Sequence, residues 1–118
     1  MMPVEARKYL FDAQQACELL QQFTIGKTFS EYSTDAMLRS AVERQFEIIG
    51  EALNQAVRVD ASLSGCITNI GRIVAFRNRL IHAYSSIADE VVWGIVETSL
   101  STLRYEIRTI LDRQEEQT

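Results

Sequence analysis

The sequence predicts an all-α protein, an antiparallel bundle of four to five helices that forms a single domain over residues 1–118. The chain contains one Pro and five Gly, so turns are few and the elements between them are long. Leu, Ile and Ala supply most of its apolar residues. These residues recur at steps of three and four, which is the period of a helix that buries one face.

The first helix is predicted from Val4 to Phe23. Its apolar positions fall on one stripe, formed by Tyr9, Leu10, Ala13, Ala16, Cys17, Leu20 and Phe23. Gly26 marks the end of the helix, and Thr24–Ser33 is predicted to be a loop.

The second helix, Thr34–Val59, is the longest one predicted. Ser33 or Thr34 can serve as its N-cap, with Asp35 in the first turn. Its apolar residues cover more than one side, which predicts contact with two neighbouring helices or with a second chain. Gly50 lies in the interior, where Gly costs about 1 kcal/mol relative to Ala. A close helix crossing and simple tolerance account for this Gly equally well.

The second half of the chain is predicted to hold two further helices. Asp60–Gly65 has the composition of a loop, a third helix covers Thr68–Ala83, and Tyr84–Ser86 end it. A fourth helix begins near residues 87–89, and the polar residues 113–118 are expected to fray. The residues predicted to pack in the bundle have close to heptad spacing: Val92, Val96, Ser99, Leu100, Leu103, Ile107, Ile110 and Leu111.

Composition excludes several classes of protein. Cys17 and Cys66 form neither a disulfide framework nor a zinc-ligand set, so both are predicted to be small core residues. No stretch approaches the ~20 apolar residues of a membrane span, and the N-terminus lacks the pattern of a signal peptide. We therefore expect a cytoplasmic protein without contact to a membrane and without a bound metal or cofactor.

The charge balance is acidic overall but not everywhere. A net charge of −4 argues against a protein that coats nucleic acid, which would be basic over its whole surface. A local nucleic-acid site remains compatible with it. Ten of the twelve basic residues are Arg, which suits fixed bidentate contacts with phosphate better than Lys does.

The only histidine of the chain, His82, lies in a window that contains no acidic residue. This window, Ala61–Ala88, also holds Arg72, Arg77 and Arg79, so it carries a local charge of +3. A cationic surface around one group that titrates near neutral pH suits a phosphate-bearing substrate and proton-transfer chemistry.

Helical spacing relates the polar residues of this window to one another. Asn78 and His82 are four apart and share a face, whereas the Cα of Arg77 lies ~140° round the axis from that of His82. The long Arg77 side chain could still reach His82, and Tyr84 follows two residues later. A purely structural interpretation is also open: a histidine stabilised by the helix dipole, solvated arginines and a tyrosine anchored in the core.

Three segments of the chain resemble the HepT toxins of the HEPN (higher eukaryote and prokaryote nucleotide-binding) superfamily. In Phe76–Tyr84 an Arg is followed by a polar residue, then by a His after four intervening residues, then by a Tyr. Glu43–Ala52 is similar to the "Glu-Ile-Ile-Gly-Glu-Ala" stretch on the second helix of that family. Val91–Val96 is similar to its fourth helix. Together these segments span nearly the whole chain in order.

The resemblance implies a fold, an activity and a partner. HepT-like proteins are compact helical homodimers, with the Arg and His motifs facing each other across the dimer cleft. It implies that this chain is the toxin of a type VII HepT/MntA-like toxin–antitoxin system and a metal-independent endoribonuclease. The antitoxin is a minimal nucleotidyltransferase, MntA, which silences the toxin by transferring AMP to the motif tyrosine. By resemblance that acceptor is Tyr84.

The chemistry of RNA cleavage assigns roles to the motif residues. His82 is expected to transfer the proton, Arg77 to stabilise the phosphorane, and Asn78 to orient the imidazole or the phosphate. Arg79 and Arg72 are candidates for RNA contacts. Since one histidine cannot be base and acid at once, two chains would supply the pair.

Two other functions remain open from the sequence. The domain could be a catalytically silent HEPN module that binds a nucleotide or docks on a nucleotidyltransferase, or a plain helical interaction protein. Glu47 and Glu51 fit a solvated face with Arg44 as partner as well as they fit a place near the cleft. Trp93 is expected in the core or an interface.

Overall fold

The computed structural model describes residues 2–82 and 87–116. The helices in this part of the chain are α1 (Val4–Thr24), α2 (Phe29–Thr34), α3 (Ala36–Val59), α4 (Ile70–Ile81), α5 (Asp89–Thr98) and α6 (Leu100–Glu116). A 3-10 helix, Ala61–Gly65, lies between α3 and α4. The described residues contain no strand, which confirms the all-α prediction.

Helix α1 buries one stripe and ends where the sequence predicts. The buried residues of this stripe are Ala6, Leu10, Ala13, Ala16, Cys17, Leu20 and Thr24. Thr24 is the one polar member, and its hydroxyl donates a 2.7 Å hydrogen bond to the carbonyl of Leu20. Gly26 adopts a φ of 73°, a left-handed conformation that turns the chain at little cost for a residue without Cβ.

The predicted loop at residues 24–33 contains a short helix, α2, which corrects the sequence analysis. Its N-cap is Thr28, whose hydroxyl accepts a 3.1 Å hydrogen bond from the backbone N–H of Glu31. The Glu31 carboxylate accepts a 3.1 Å hydrogen bond from the N–H of Thr28 in return. This reciprocal pair is a capping box, and its Thr-x-x-Glu pattern is visible in the sequence. Tyr32 of α2 is fully buried and stacks on Trp93 of α5, which lies in the core as expected.

The N-cap of α3 is Asp35, not Ser33 or Thr34 as predicted. Its carboxylate accepts hydrogen bonds of 3.0 and 3.1 Å from the backbone N–H groups of Met37 and Leu38. A carboxylate at this position satisfies two free N–H groups and lies at the positive end of the helix dipole. Ser33 and Thr34 belong to α2, and the hydroxyls of both donate to the carbonyl of Ser30.

The predicted fourth helix is divided at Ser99 into α5 and α6. The Thr98 hydroxyl donates a 2.6 Å hydrogen bond to the carbonyl of Gly94, one turn earlier. Ser99 is the C-cap of α5, with a φ of −113°, and α6 begins at the next residue. With α2, this division gives six α-helices in the part of the chain that the structure describes. Helix α6 continues to Glu116, whereas the sequence predicts fraying from residue 113.

Helix α3 is the central element of the bundle. Helices α1, α2, α4 and the 3-10 helix all pack against it, while α6 packs on α1 and α5 on α2 and α6. The apolar contact of α3 with more than one neighbour was predicted from its wide apolar face. Helix α4 lies at the edge of the bundle, and none of its twelve residues is buried.

The two cysteines have different surroundings. Cys17 is fully buried in α1, and burial raises the pKa of its thiol to about 12, so it is an unreactive core residue as predicted. Cys66 is exposed, and the core prediction is wrong for this residue. Its neighbours Leu63, in the 3-10 helix, and Ile67, the next residue, are buried instead. Among the described residues, no helix is long and apolar enough to span a membrane.

A cluster of charged residues joins the first helix to the last. Glu18 of α1 accepts hydrogen bonds of 2.7 and 2.9 Å from the Nε and Nη2 atoms of Arg104. Arg108, one turn further along α6, donates a third of 2.9 Å. Bidentate arginine–carboxylate pairs are among the stronger polar interactions of proteins. The hydrogen bond from Arg104, followed by the positive charges of both arginines, lowers the pKa of Glu18.

We expect Glu18→Gln to lower the free energy of unfolding by about 1 kcal/mol at neutral pH, because the amide lacks the negative charge that pairs with Arg104 and Arg108. The folded-state pKa of Glu18 is depressed, so its stabilisation is present at neutral pH and is lost as the pH falls below the ordinary value of 4.5. Denaturant titrations from pH 7 to pH 3 should therefore show the two proteins converging in acid. Glu47→Gln is the control, since its partner Arg44 is largely exposed. If the difference in free energy of unfolding between wild type and Glu18→Gln stayed constant from pH 7 to pH 3, the lowered pKa of Glu18 would not be its cause.

Candidate active site on helix α4

Helix α4 is fixed at its start by contacts with the last helix. Thr68 donates from its backbone N–H, at 3.2 Å, and from its hydroxyl, at 2.9 Å, to the carboxylate of Glu106 in α6. Asn69 then adopts a φ of 58°, and the helix runs from Ile70 to Ile81. The predicted third helix, Thr68–Ala83, is thus confirmed from Ile70 to Ile81. Its first two residues and His82 lie outside the helix, and Ala83 lies outside the described residues.

The two faces of α4 differ in character. The inner face is apolar and half-buried against the core, with Ile73, Phe76 and Leu80 as its main residues. Phe76 meets Phe46 of α3 edge to face, at a centroid distance of 5.4 Å. The outer face is exposed and carries four of the predicted site residues: Arg72, Asn78, Arg79 and His82. Asn78 and His82 lie near its middle, whereas Arg72 lies at its edge and lines a pocket together with Phe46 and Phe76.

Arg77 lies between these faces and is held at two points. Its Nη1 atom donates a 2.7 Å hydrogen bond to the Oδ1 atom of Asn78. Its Nη2 atom donates to the Oε2 atom of Glu51 on α3, and this is also an ion pair. The other oxygen of Glu51 accepts a 3.1 Å hydrogen bond from the amide of Gln55. The Arg77 side chain is 22% exposed, so its guanidinium is fixed at the surface rather than free in solvent.

Gly50 allows α4 to approach α3 at Arg77. A Cβ on Gly50 would overlap the Cβ of Arg77 and lie 2.7 Å from its Cγ, closer than carbon atoms can pack. The carbonyl of Ile73, one turn earlier in α4, would be 3.4 Å away. Of the two explanations left open by the sequence, the structure supports a close helix crossing. Glycine is required here because the neighbouring helix occupies the space of a side chain.

His82 is the C-cap of α4 and is exposed. Its backbone N–H donates a 2.9 Å hydrogen bond to the carbonyl of Asn78, which completes the last turn. Within the described residues, its imidazole has no hydrogen bond or ion pair, and Arg77 is turned toward α3 instead of His82. Within one chain, Arg77 and His82 therefore form no contact among the described residues. Tyr84 lies outside the described residues.

Carboxylates from other helices modify the charge of the window. Glu51 neutralises Arg77, and Glu106 lies at the start of α4, so the local charge of +3 read from the sequence is only partly retained. Arg72 and Arg79 make no ion pair among the residues described, and they keep the outer face of α4 cationic. In the same part of the chain, no three His, Cys, Asp or Glu side chains are grouped closely enough to hold a metal ion.

A groove with an apolar wall adjoins Arg77. It has a volume of about 810 Å³ and lies between α1, α3 and the last turn of α4. Phe11 and Ile81 line it and are 53% and 44% exposed, so the groove presents apolar surface to solvent. Glu51 and Arg77 form part of the same wall.

Sequence reasoning left one site residue undecided and missed another. Glu51 and Glu47 are one turn apart on α3, and helical spacing puts both on similar faces. In the structure Glu47 pairs with the exposed Arg44 at 3.3 Å, whereas Glu51 meets Arg77. Gln55 was not considered. The available signal was Gly50, the neighbour of Glu51, since an interior glycine marks the point where another helix can come close.

Comparison with known proteins agrees with this architecture. The sequence model of the family described as ribonuclease HepT-like matches residues 13–110. A probable ribonuclease HepT of Thermococcus cleftensis is 30% identical over 102 residues, covering 83% of this chain and 88% of its own. A provisionally named RNase of Caldanaerobacter subterraneus subsp. tengcongensis is 27% identical over 108 residues, covering 92% and 96%. Another, of Methanocaldococcus jannaschii, is 27% identical over 108 residues, covering 90% and 96%.

These matches cover most of the chain, including both helices that form the site. This chain belongs to the HepT-like ribonuclease family of the HEPN superfamily. The resemblance seen in the sequence is thereby confirmed. No solved structure matches the chain significantly.

We expect Gly50→Ala to destabilise the protein by about 1–3 kcal/mol, because the new methyl group must push α4 away from α3. The matched control is Gly94→Ala, since Gly94 is also inside a helix but a Cβ there meets nothing within 4 Å. This control should gain up to about 1 kcal/mol from helix propensity. Chemical denaturation measures both, and equal effects of the two substitutions would disprove the close approach.

Proposed function

We propose that this protein is a metal-independent endoribonuclease, the toxin of a type VII HepT/MntA-like toxin–antitoxin system, and that it works as a homodimer. The observation that carries the proposal is the Arg–His pattern at the end of α4: Asn78 and His82 are exposed, and Arg77 is held by Asn78 and Glu51. The base and the acid would be the His82 residues of two chains. Membership of a family of ribonucleases supports the reaction type.

The proposed reaction is an internal transesterification of RNA. One imidazole removes the proton of a ribose 2′-OH, whose oxygen attacks the adjacent phosphorus. The bond from phosphorus to the 5′-oxygen then breaks, and a second, protonated imidazole gives its proton to that oxygen. The products are a 2′,3′-cyclic phosphate and a 5′-OH end. Neither water nor a metal ion enters the balance of this step.

Two features of the structure support action as a dimer. The chain has one histidine, and the reaction uses a base and an acid at the same time. In addition, α4 has no buried residue, and the groove beside Arg77 exposes Phe11 and Ile81. A second copy packed on this surface would cover apolar area and bring a second His82 to the cleft. Exposed apolar patches of this kind mark interaction sites.

The arginines of α4 would divide the work of binding and stabilisation. Arg77 would stabilise the negative charge that develops on the phosphorane, since its guanidinium is already fixed by Asn78. Arg72 and Arg79 lie on the same outer face and would bind neighbouring phosphates of the RNA. A narrow cationic surface on an acidic body favours a selective or structured RNA over general binding.

Control of the activity is proposed to act at Tyr84. The partner nucleotidyltransferase would transfer AMP from ATP to the phenol oxygen, with release of pyrophosphate. The added phosphate is an anion placed two residues from His82 in the sequence, so it would compete with RNA for the nearby arginines. Silencing would then follow from steric and electrostatic competition at the site itself.

We expect His82→Ala to reduce the rate of RNA cleavage at least about 100-fold, because the proton transfer is lost. The measurement is cleavage of RNA by the purified proteins with EDTA present, with the 2′,3′-cyclic phosphate identified by mass spectrometry. Arg113→Ala, an exposed arginine far along α6, is the control and should cleave like the wild type. Equal rates for His82→Ala and the wild type would favour the alternative, a catalytically silent module that docks on a nucleotidyltransferase.

We expect Tyr84→Phe to remain an active ribonuclease and to resist silencing, because it lacks the acceptor oxygen. The intact mass is measured after incubation with the nucleotidyltransferase and ATP, and wild type should gain one or more AMP groups. Tyr105→Phe is the matched control, since Tyr105 is 71% exposed on α6 and should leave modification unchanged. If Tyr84→Phe is modified or neutralised like the wild type, control by modification of this tyrosine is wrong.

A further inference from the structure

We propose that Glu51 is a positioning residue of the candidate active site, which acts by holding Arg77 for the RNA phosphate. This inference rests on the proposed ribonuclease function and assigns a role within it to an acidic residue outside the Arg–His motif. Gln55 completes the arrangement. The chain of contacts is Gln55 to Glu51 to Arg77 to Asn78, and it crosses from α3 to α4.

The geometry fixes both the position and the orientation of the guanidinium. One oxygen of Glu51 is taken by Gln55, which leaves the other directed to the Nη2 atom of Arg77. Asn78 accepts from the Nη1 atom at 2.7 Å. With both terminal nitrogens anchored, rotation about the last side-chain bonds of Arg77 is stopped. A carboxylate and an amide oxygen therefore fix the plane of the fork from two helices.

The anchored guanidinium still has donors for a phosphate. Each terminal nitrogen of an arginine carries two N–H groups, and each one uses a single group in these contacts. The Nε atom of Arg77 is buried and has no hydrogen-bond partner among the residues described, so RNA cannot reach it from solvent. A phosphate would thus bind the free N–H groups at the end of the fork. Fixing a flexible arginine before the substrate arrives also reduces the entropy lost in forming the reactive complex.

Glu47 provides an internal comparison. It is one turn before Glu51 on the same helix, but its partner is Arg44, whose side chain is 68% exposed. Among the described residues, Glu47 forms no hydrogen bond or ion pair with Arg77. If the negative charge of this face of α3 affected RNA cleavage, removal of either glutamate would change the rate. If Glu51 positions Arg77, only removal of Glu51 would change it.

If Glu51 acted only through its negative charge, its removal would have the opposite effect on RNA cleavage to the one that positioning predicts. A carboxylate beside an arginine competes with an incoming phosphate, so a purely inhibitory Glu51 would weaken RNA binding and its removal would lower KM. Positioning predicts that removal lowers kcat, because the stabilisation of the phosphorane depends on an aligned donor. The two roles are therefore separated by the direction of the change and by the kinetic constant that changes.

The test compares Glu51→Ala, Glu51→Gln and the control Glu47→Ala in RNA cleavage under saturating and limiting substrate. We expect Glu51→Ala to lower kcat about 100-fold, as displacement of a catalytic group does, with KM changed less than about threefold. Glu51→Gln keeps an acceptor for Arg77 and should stay within about tenfold of the wild type. Glu47→Ala should match the wild type. Thermal unfolding establishes that each variant is folded.

A double substitution shows whether Glu51 acts through Arg77. On an Arg77→Ala background, Glu51→Ala should cause no further loss, since the residue that it positions is gone. Additive losses would overturn the proposal, as would an unchanged kcat or a raised kcat/KM for Glu51→Ala. These outcomes are distinct from failure of the proposed function, in which wild type and His82→Ala would cleave RNA equally.

Discussion

The approach of α4 to α3 at Gly50 is the constraint on which the candidate site depends. Helix α4 has no buried residue, so contact with α3 along its inner face holds it on the bundle. The side chain of Arg77 packs directly against the backbone of Gly50, because a Cβ on residue 50 would overlap the Cβ of Arg77. This contact places Arg77 within reach of Glu51, the next residue of α3. Packing and site chemistry therefore meet at one pair of neighbouring residues.

The peripheral position of α4 has consequences for the chemistry proposed. A helix at the edge of a bundle presents its whole outer face to solvent, and here that face holds Asn78, Arg79 and His82. Such a site is open, and open sites stabilise charge weakly because water screens it. A second copy on this face would exclude water and add the missing histidine, so the proposed dimer answers both needs. The proposed role of Glu51 fits the same scheme, since its ion pair would hold Arg77 for an incoming phosphate.

A local signal in the sequence accounts for one of the differences in secondary structure. Helix α2 follows from the Thr-x-x-Glu pattern at Thr28, and its six residues are too few for apolar periodicity to be visible. The division at Ser99 has no comparable signal in the sequence. Apolar spacing continues across it, since Leu100 and Leu103 are both buried. The exposure of Cys66 likewise depends on the 3-10 helix before it.

By itself, the sequence determined the helical fold, the helices α1, α3 and α4 and the Arg–His motif, because these depend on periodicity and short spacings along the chain. Only the tertiary structure decided which acidic residue meets Arg77. Glu47 and Glu51 are equivalent in helical spacing, and the crossing of α4 over Gly50 selects Glu51. The charge of the site was also decided by folding. A window without acidic residues remains cationic only where no other helix brings a carboxylate to it, and packing alone sets that distance.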